Sequence, residues 1–248
     1  MNNTLANGLS LLMRLAESPR PHSIKELAEA TELPPSNVHR LLQTLIECEY
    51  VEKRQGRRYS IGLGALRLGH ALLLNLPVRQ RAVPAMVELA REVGLSVSLV
   101  MPFADRAIVI ANVSHDGRIR PFDQTLGAVL SATESASGKA FLACLEPGLR
   151  EARLEKLAQE LPPSRLAQLR VELAEIERTD FALKSHSPNG SDPMSVAVPI
   201  RDAAGDAIAC LGLSGPHDRF PPHELDDLLR PLRRTVDQIT HTPLETPA

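Results

Sequence analysis

The stretch from Ser23 to Ile61 limits what this chain can fold into more than any other. Ser23-Ile24-Lys25-Glu26 has the spacing of a capping box, in which the serine oxygen and the glutamate carboxylate each cover an amide left free at a helix start. The helix it opens is short, carries Ile24, Leu27 and Ala28, and gives way at Thr31-Glu32-Leu33. Pro34 or Pro35 suits the first turn of a further helix, where a missing N–H costs nothing. There Val38, Leu41, Leu42, Leu45 and Ile46 follow i, i+3, i+4, i+7, i+8, which is one buried stripe. The opposite side shows Ser36, Asn37, His39, Arg40, Gln43 and Thr44. After Glu49, YVEKRQGRRYSI reads as two short strands around a Gln55-Gly56 turn.

An amphipathic helix over 4–17, with Leu5, Leu9, Leu12 and Ala16 at helical spacing, precedes this stretch and ends before Ser18-Pro19. Three helices followed by a basic hairpin is the order of a winged helix-turn-helix, so the third helix is expected to lie in a DNA major groove while its leucines stay in the core. Asn37 and Gln43 can read adenine edges, and Arg40 can read guanine or grip phosphate. His39 shares that polar face, and Ser36 with the helix N-terminus suits a phosphate oxygen. Lys53, Arg54, Arg57 and Arg58 surround the glycine turn, a cationic tip for backbone or minor-groove contact. From 34 to 62 those four and Arg40 face only Glu47, Glu49 and Glu52. The alternative is a protein-interaction or oligomerisation module that lacks DNA affinity or ligand sensing, which leaves the Arg40/Arg57/Arg58 arrangement without a purpose.

Whole-chain composition narrows the rest. A length of 248 residues fits one large domain or two modest ones, and 43% apolar residues suffice for packed cores. Lys+Arg 28 against Asp+Glu 30 gives a net charge of −2, so any nucleic-acid affinity must come from a local face. Aromatics at 3%, with no Trp, argue against base-stacking platforms for single strands. Cys48, Cys144 and Cys210 are odd in number and lack metal-type spacing, which excludes a disulfide framework and favours a reduced, cytoplasmic setting. The N-terminus lacks a basic n-region and a small-residue cleavage site. The longest greasy run, Leu63 to Val78, carries Arg67, His70 and Asn75 and falls short of the roughly 20 residues of a membrane span, so no membrane partner is expected.

Beyond residue 62 a Leu/Ala-rich connector helix, 63–76, is ended by Pro77, and a helix from Val83 to Val93 stops at Gly94. Strands are expected over 96–100 and 107–113, with a further one over 118–122. A helix opening around Ser135–Ser137 and two charged helices, about 149–160 and 165–179, come next. Strands 194–201 and 207–214 flank a hairpin signal, and a helix from about Pro221 to Ile239 precedes a polar tail. Helices and strands do not alternate strictly, which favours α+β with a mainly antiparallel sheet. The division expected is a winged helix-turn-helix over 1–62, a linker and dimerisation helix over 63–77, a regulatory domain over 78–241 and a tail over 242–248.

The run ELAEATELPPSNVHRLLQTLIECEYVEKRQGRRYSIGLGALRLG strongly resembles the N-terminal domain of IclR-type transcriptional regulators, with Glu49-Tyr50-Val51 in place of Gly-Tyr-Val. ELAREVG, ESASGKAFLACL, VAVPIRDAAGDAIACLGLSGP and the closing helix extend the likeness over nearly the whole chain. The resemblance implies a C-terminal GAF/PAS-like effector-binding domain and control of a metabolic operon, as repressor or activator. It implies that Ala136, Ser137 and Gly138 offer amides to a small-molecule effector, with Ser195, Gly212 and Ser214 on the opposite wall and Ser185 as a polar contact. Independently, Thr133 to Lys139 opens a helix with small residues, and free amides at such an N-terminus suit a small carboxylate. The bland readings are a helix cap for Ser137 and a turn residue for Ser214. The chain departs from the family pattern at Ser195, often Cys, and at Gly212, usually a hydroxyl-bearing residue. It departs again at Arg178-Thr179-Asp180-Phe181-Ala182, where the family reads RGYA, and at 185–193, which lacks the usual acidic stretch.

No catalytic residues, metal or cofactor are expected. The chain has no Gly-x-Ser-x-Gly elbow, Walker-type loop or His-Glu-x-x-His motif. Cys144 and Cys210 read as small buried hydrophobes, His217, Asp218 and His223 as a solvated loop, and His115 and His186 show no partner signal. The connector helix is apolar on too many faces for a lone surface helix, so pairing with a second copy, as homodimer or homotetramer, is expected. Two-fold pairing would match a palindromic operator.

Overall fold

The apolar stripe of the third helix finds its core between two neighbouring helices and a small sheet. In a computed structural model, described for residues 3–114, 126–184 and 193–241, the chain divides into two units, Met1–Asn75 and Leu76–Ala248. The first runs α1 (Asn3–Ala16), β1 (His22–Ser23), α2 (Ile24–Thr31), α3 (Pro35–Glu47), β2 (Val51–Arg54), β3 (Arg58–Ile61) and α4 (Leu63–Leu74). Leu11 and Leu15 of α1, Leu27 of α2, Val38, Leu41 and Leu42 of α3, Val51 and Tyr59 form its core. The antiparallel sheet has the order β1-β3-β2.

Local chemistry sets the helix ends. The Ser23 amide donates to Glu26 Oε2 at 2.6 Å and the Glu26 amide to Ser23 Oγ at 3.3 Å, completing the capping box. At the far end of α3 the Tyr50 amide reaches Leu45 O and the Glu49 amide reaches Ile46 O, both at 2.9 Å, which is a Schellman cap. Glu49 holds its left-handed cap position at φ 66, a conformation that favours glycine.

The second unit runs α5 (Pro77–Val93), β4 (Ser96–Phe103), β5 (Arg106–Val113), β6 (Val129–Leu130), α6 (Ala136–Cys144), α7 (Pro147–Leu157), α8 (Pro163–Thr179), β7 (Ala182–Leu183), β8 (Met194–Arg201), β9 (Ala207–Gly215) and α9 (Leu225–His241). The described strands form one antiparallel sheet of order β6-β5-β4-β9-β8-β7. Val100, Val109, Ala197 and Cys210 face α6 and α8. Strand alternation sends Val97, Leu99, Val196, Val198, Leu211 and Leu213 to the other face, where α5 and α9 pack on the sheet and on each other. The α+β reading of the sequence holds in both units.

Several boundaries differ from those read in the sequence. Pro77 starts α5 rather than merely ending the connector, because proline at the first helical position loses no hydrogen bond, and α5 continues through Pro84. The closing helix starts at Leu225, after a short 3-10 turn over Pro222–Glu224. The strand expected over 118–122 and the tail 242–248 lie outside the described residues.

Candidate nucleic-acid interface and effector pocket

The capped turn between α2 and α3 leaves one flank of α3 in solvent. Ser36, His39, Arg40, Gln43 and Thr44 are exposed there, with Asn37 half-buried. Arg40 Nη2 donates to Asn37 Oδ1 at 3.4 Å, so the two side chains lie side by side on this flank of α3. The N-terminus of α3 offers less to an anion than a typical helix start. Pro34 and Pro35 carry no N–H, and the Asn37 and Val38 amides turn back to Pro34 O. Among the described residues the Ser36 amide is left as the donor of that turn.

The hairpin divides its four cations into two pairs. Arg54 is tied to Glu52 at 2.7 Å and to Ser60 Oγ at 3.0 Å. Arg58 donates to Pro21 O at 2.9 Å and to Glu26 Oε2 at 3.1 Å, holding β3 to the capping box of α2. Lys53 and Arg57 are exposed without such partners, and they form the outward charge of the tip. Arg57, at φ 56, follows Gly56, at φ 72, so an arginine sits in the conformation that favours glycine.

In the second unit the turn before α6 is built from hydroxyls. Ser135 Oγ donates to Ser131 O at 2.6 Å and accepts from the Gly138 amide at 3.0 Å, while the Lys139 amide closes on Ser135 O. That leaves the Ala136 and Ser137 amides without a protein acceptor among the described residues, at the positive end of the helix dipole. Gly138 serves a different purpose from the other two. Its amide is consumed by the cap, and a Cβ there would meet Ser131 O at 2.3 Å, so glycine is needed for the turn to cross the helix.

Three side chains that sequence reading did not single out hold this turn. Lys139, 3% exposed, donates from Nζ to Glu172 Oε2 at 2.7 Å. Arg165 reaches Glu172 at 3.2 Å, Glu134 at 3.1 Å and Thr133 O at 2.6 Å. Burial pushes the Lys139 ammonium below its ordinary pKa, against the pull of Glu172. The network fastens α6 and its leading turn to α8. A lysine on a helix of buried small residues was the available signal, since such a charge requires a partner.

Ser195 and Ser214 lie opposite each other on β8 and β9, and Gly212 lies opposite Ala197. Ser195 and Ser214 are buried on the sheet face that α6 covers. Ser185 lies outside the described residues, as do His115 and His186. A separate cavity of ≈ 630 Å³ on the far flank of α6 is lined by Phe141, Leu142, Leu145, Leu157, Arg106 and Arg153 among others. Gly138 borders it, whereas Ser195, Gly212 and Ser214 do not.

Burial pushes the thiols of Cys144 and Cys210 up, which keeps both protonated. Among the described residues no three His, Cys, Asp or Glu side chains are grouped to hold a metal, and no helix is long and apolar enough to cross a membrane.

Comparison with known proteins gives the same picture. Residues 4–55 match the IclR helix-turn-helix domain, and residues 70–241 match the bacterial transcriptional regulator IclR C-terminal domain. The chain is 27% identical over 238 residues to the Pca regulon regulatory protein of Pseudomonas putida, spanning 92% of this chain and 79% of that protein. It is 27% identical over 222 residues to the HTH-type transcriptional repressor AllR of Escherichia coli, spanning 87% and 81%. The crystal structure of an IclR family transcriptional regulator from Brucella abortus matches with TM-score 0.82 and 28% identity, covering 96% of this chain and 91% of that one. A helix-turn-helix unit followed by an effector-binding α+β unit, each matched by the corresponding family model, places this chain in the IclR family of bacterial transcriptional regulators.

Proposed function

We propose that the protein is a cytoplasmic regulator of a metabolic operon that reads double-stranded operator DNA and is biased by a small organic acid. Asn37, Arg40 and Gln43 would meet base edges, with Ser36 and His39 at the flanking backbone, and Lys53 and Arg57 would carry the wing contact. Arg54 and Arg58 act mainly by shaping the wing, given their internal partners. The working division remains a reader over 1–62, a linker over 63–77, a regulatory domain over 78–241 and a tail over 242–248.

The observation that carries the effector reading is the pair of unpartnered amides at Ala136 and Ser137, which lie at a helix start on the face that holds Ser195 and Ser214. A carboxylate there gains two N–H donors and the helix dipole. Leu63, Leu66, Leu68, Leu72 and Leu74 of α4 are 53–71% exposed, which supports pairing of this helix with a second copy, as homodimer or homotetramer. Such pairing would set the spacing of two recognition helices, and the effector would shift that spacing only through different affinities for the two arrangements.

The test is Ala136→Pro. Proline is accepted at a first helical position, and Ser135 already has the extended backbone, φ −79 and ψ 147, that a following proline requires. The substitution removes one amide donor. Small carboxylates that alter wild-type DNA binding should lose their effect on the variant, while the variant keeps its DNA affinity and its melting transition. An unchanged carboxylate response would refute the seat.

A further inference from the structure

The sheet face beneath α6 is lined with serine hydroxyls that the protein itself does not pair. Ser96 of β4 lies opposite Ser214 of β9, and Ser214 lies opposite Ser195 of β8, so three serines form one row across three adjacent strands. One step along the same face, Ser98 lies opposite Gly212, and Gly212 opposite Ala197. Ser137 comes from α6 above, with its carbonyl 4.0 Å from the Sγ of Cys210, the next residue of that face. Ser96, Ser98, Ser137, Ser195 and Ser214 are 8%, 3%, 5%, 8% and 9% exposed. Among the described residues none of these five hydroxyls has a hydrogen-bond partner. The residues are buried, yet their hydroxyl oxygens are not sealed from solvent, so each is open to a ligand's donor or acceptor.

Ser98 also stands where its hydroxyl has a purpose. Its Oγ lies 3.2 Å from the position a Cβ would take at residue 212. Gly212 carries no side chain, so the Ser98 hydroxyl reaches over β9 at that position.

We infer that Ser96 and Ser98 are effector-binding residues that read hydroxyl groups, and that the effector is a short polyhydroxylated carboxylate rather than a plain aliphatic or aromatic acid. The inference rests on the reading that the Ala136 and Ser137 amides seat the carboxylate. A serine hydroxyl both donates and accepts, which complements a ligand hydroxyl that does the same. The two rows present only serine, alanine and glycine, so no ring is there to stack on an aromatic acid. The nearby Lys139 is held by Glu172 and leaves charge recognition to the helix end. A ligand without hydroxyls would leave the serines unpaired, and a site built to hydrogen-bond a hydroxyl rejects the analogue that lacks it far more strongly than an apolar site rejects a missing methylene.

The experiment is calorimetric titration of the full-length protein with propionate, glycerate, gluconate and glycerol, beside melting curves. Glycerate or gluconate should bind at least about a hundredfold more tightly than propionate. Ser98→Ala should weaken glycerate binding about tenfold and leave propionate binding and the melting temperature of the ligand-free protein unchanged. Ser98→Ala/Gly212→Ser, which moves the hydroxyl to the neighbouring strand, should restore part of the affinity. Equal binding of propionate and glycerate, or Ser98→Ala without effect on glycerate, overturns the inference and leaves the carboxylate seat standing. Glycerol binding as tightly as glycerate overturns the seat and keeps the hydroxyl-reading role. If none of the four binds, seat and inference fall together.

Discussion

Replacing Arg57 with glycine should move stability and DNA affinity in opposite directions. A non-glycine residue in the left-handed region costs about 1–2 kcal/mol, and Arg57 sits there at φ 56 with an exposed side chain. Glycine relieves that strain but loses roughly 0.5–1 kcal/mol of it again through the freer unfolded chain. The net expectation for Arg57→Gly is a gain of about 0–1.5 kcal/mol in the stability of the first unit. Binding should weaken, because each phosphate contact contributes a slope of about 0.9 to log K against log salt. Losing one contact per reading head flattens the slope by about 0.9 per bound head, equivalent to about 3.5-fold less salt sensitivity between 50 and 200 mM. The assays are urea denaturation and salt-dependent fluorescence anisotropy on one operator duplex. An unchanged slope with unchanged affinity would refute wing contact at Arg57. Arg58→Ala makes the contrast. It breaks the tie to Pro21 O and Glu26, so it should cost about 1 kcal/mol or less at this part-exposed site, and its affinity loss will not report a DNA contact alone.

Glu49→Gly should stabilise the first unit by up to about 1 kcal/mol, since the residue occupies a left-handed cap position and its exposed ion pair with Arg67, at 4.0 Å, is worth little; a lowered urea midpoint would contradict this. Gly138→Ala forces a Cβ to within 2.3 Å of Ser131 O and should destabilise the second unit by about 1–3 kcal/mol, seen in its melting transition, with DNA binding by the first unit retained. The Ser23 amide, with help from the Ser23 hydroxyl and Arg58, holds the Glu26 carboxyl below its usual 4.5. Its stabilisation is therefore full above pH 4.5 and is lost as the pH falls through the lowered value, so acid titration of Glu26→Gln should lack that step.

Elements longer than about two turns were legible in the sequence because their periodicity reports one buried face. The α3 stripe, the capping box at Ser23 and the Gly56 hairpin all follow from neighbours within four residues, and all stand in the structure. The two-residue strands β1, β6 and β7 have no period to read; they exist because a longer strand offers them an edge. The split of the wing cations was equally hidden, since Arg58 meets Glu26 only after the chain has folded back across α2. In the effector region, Ala136 and Ser137 were readable as a helix start. The place of Ser98 opposite Gly212 was not, because a cross-strand register is encoded by no local pattern. Lys139 was visible as a residue, but its partner Glu172 lies on a different helix.

The most direct test of the account is a salt titration of the protein on its own upstream DNA and on a scrambled duplex of equal length, each with and without a hydroxylated acid. The account predicts clear preference for the upstream duplex, a steep salt slope, and a change in that preference when the acid is added. Equal, weak binding to both duplexes, unmoved by the acid, would contradict it and favour a module that pairs proteins without reading DNA.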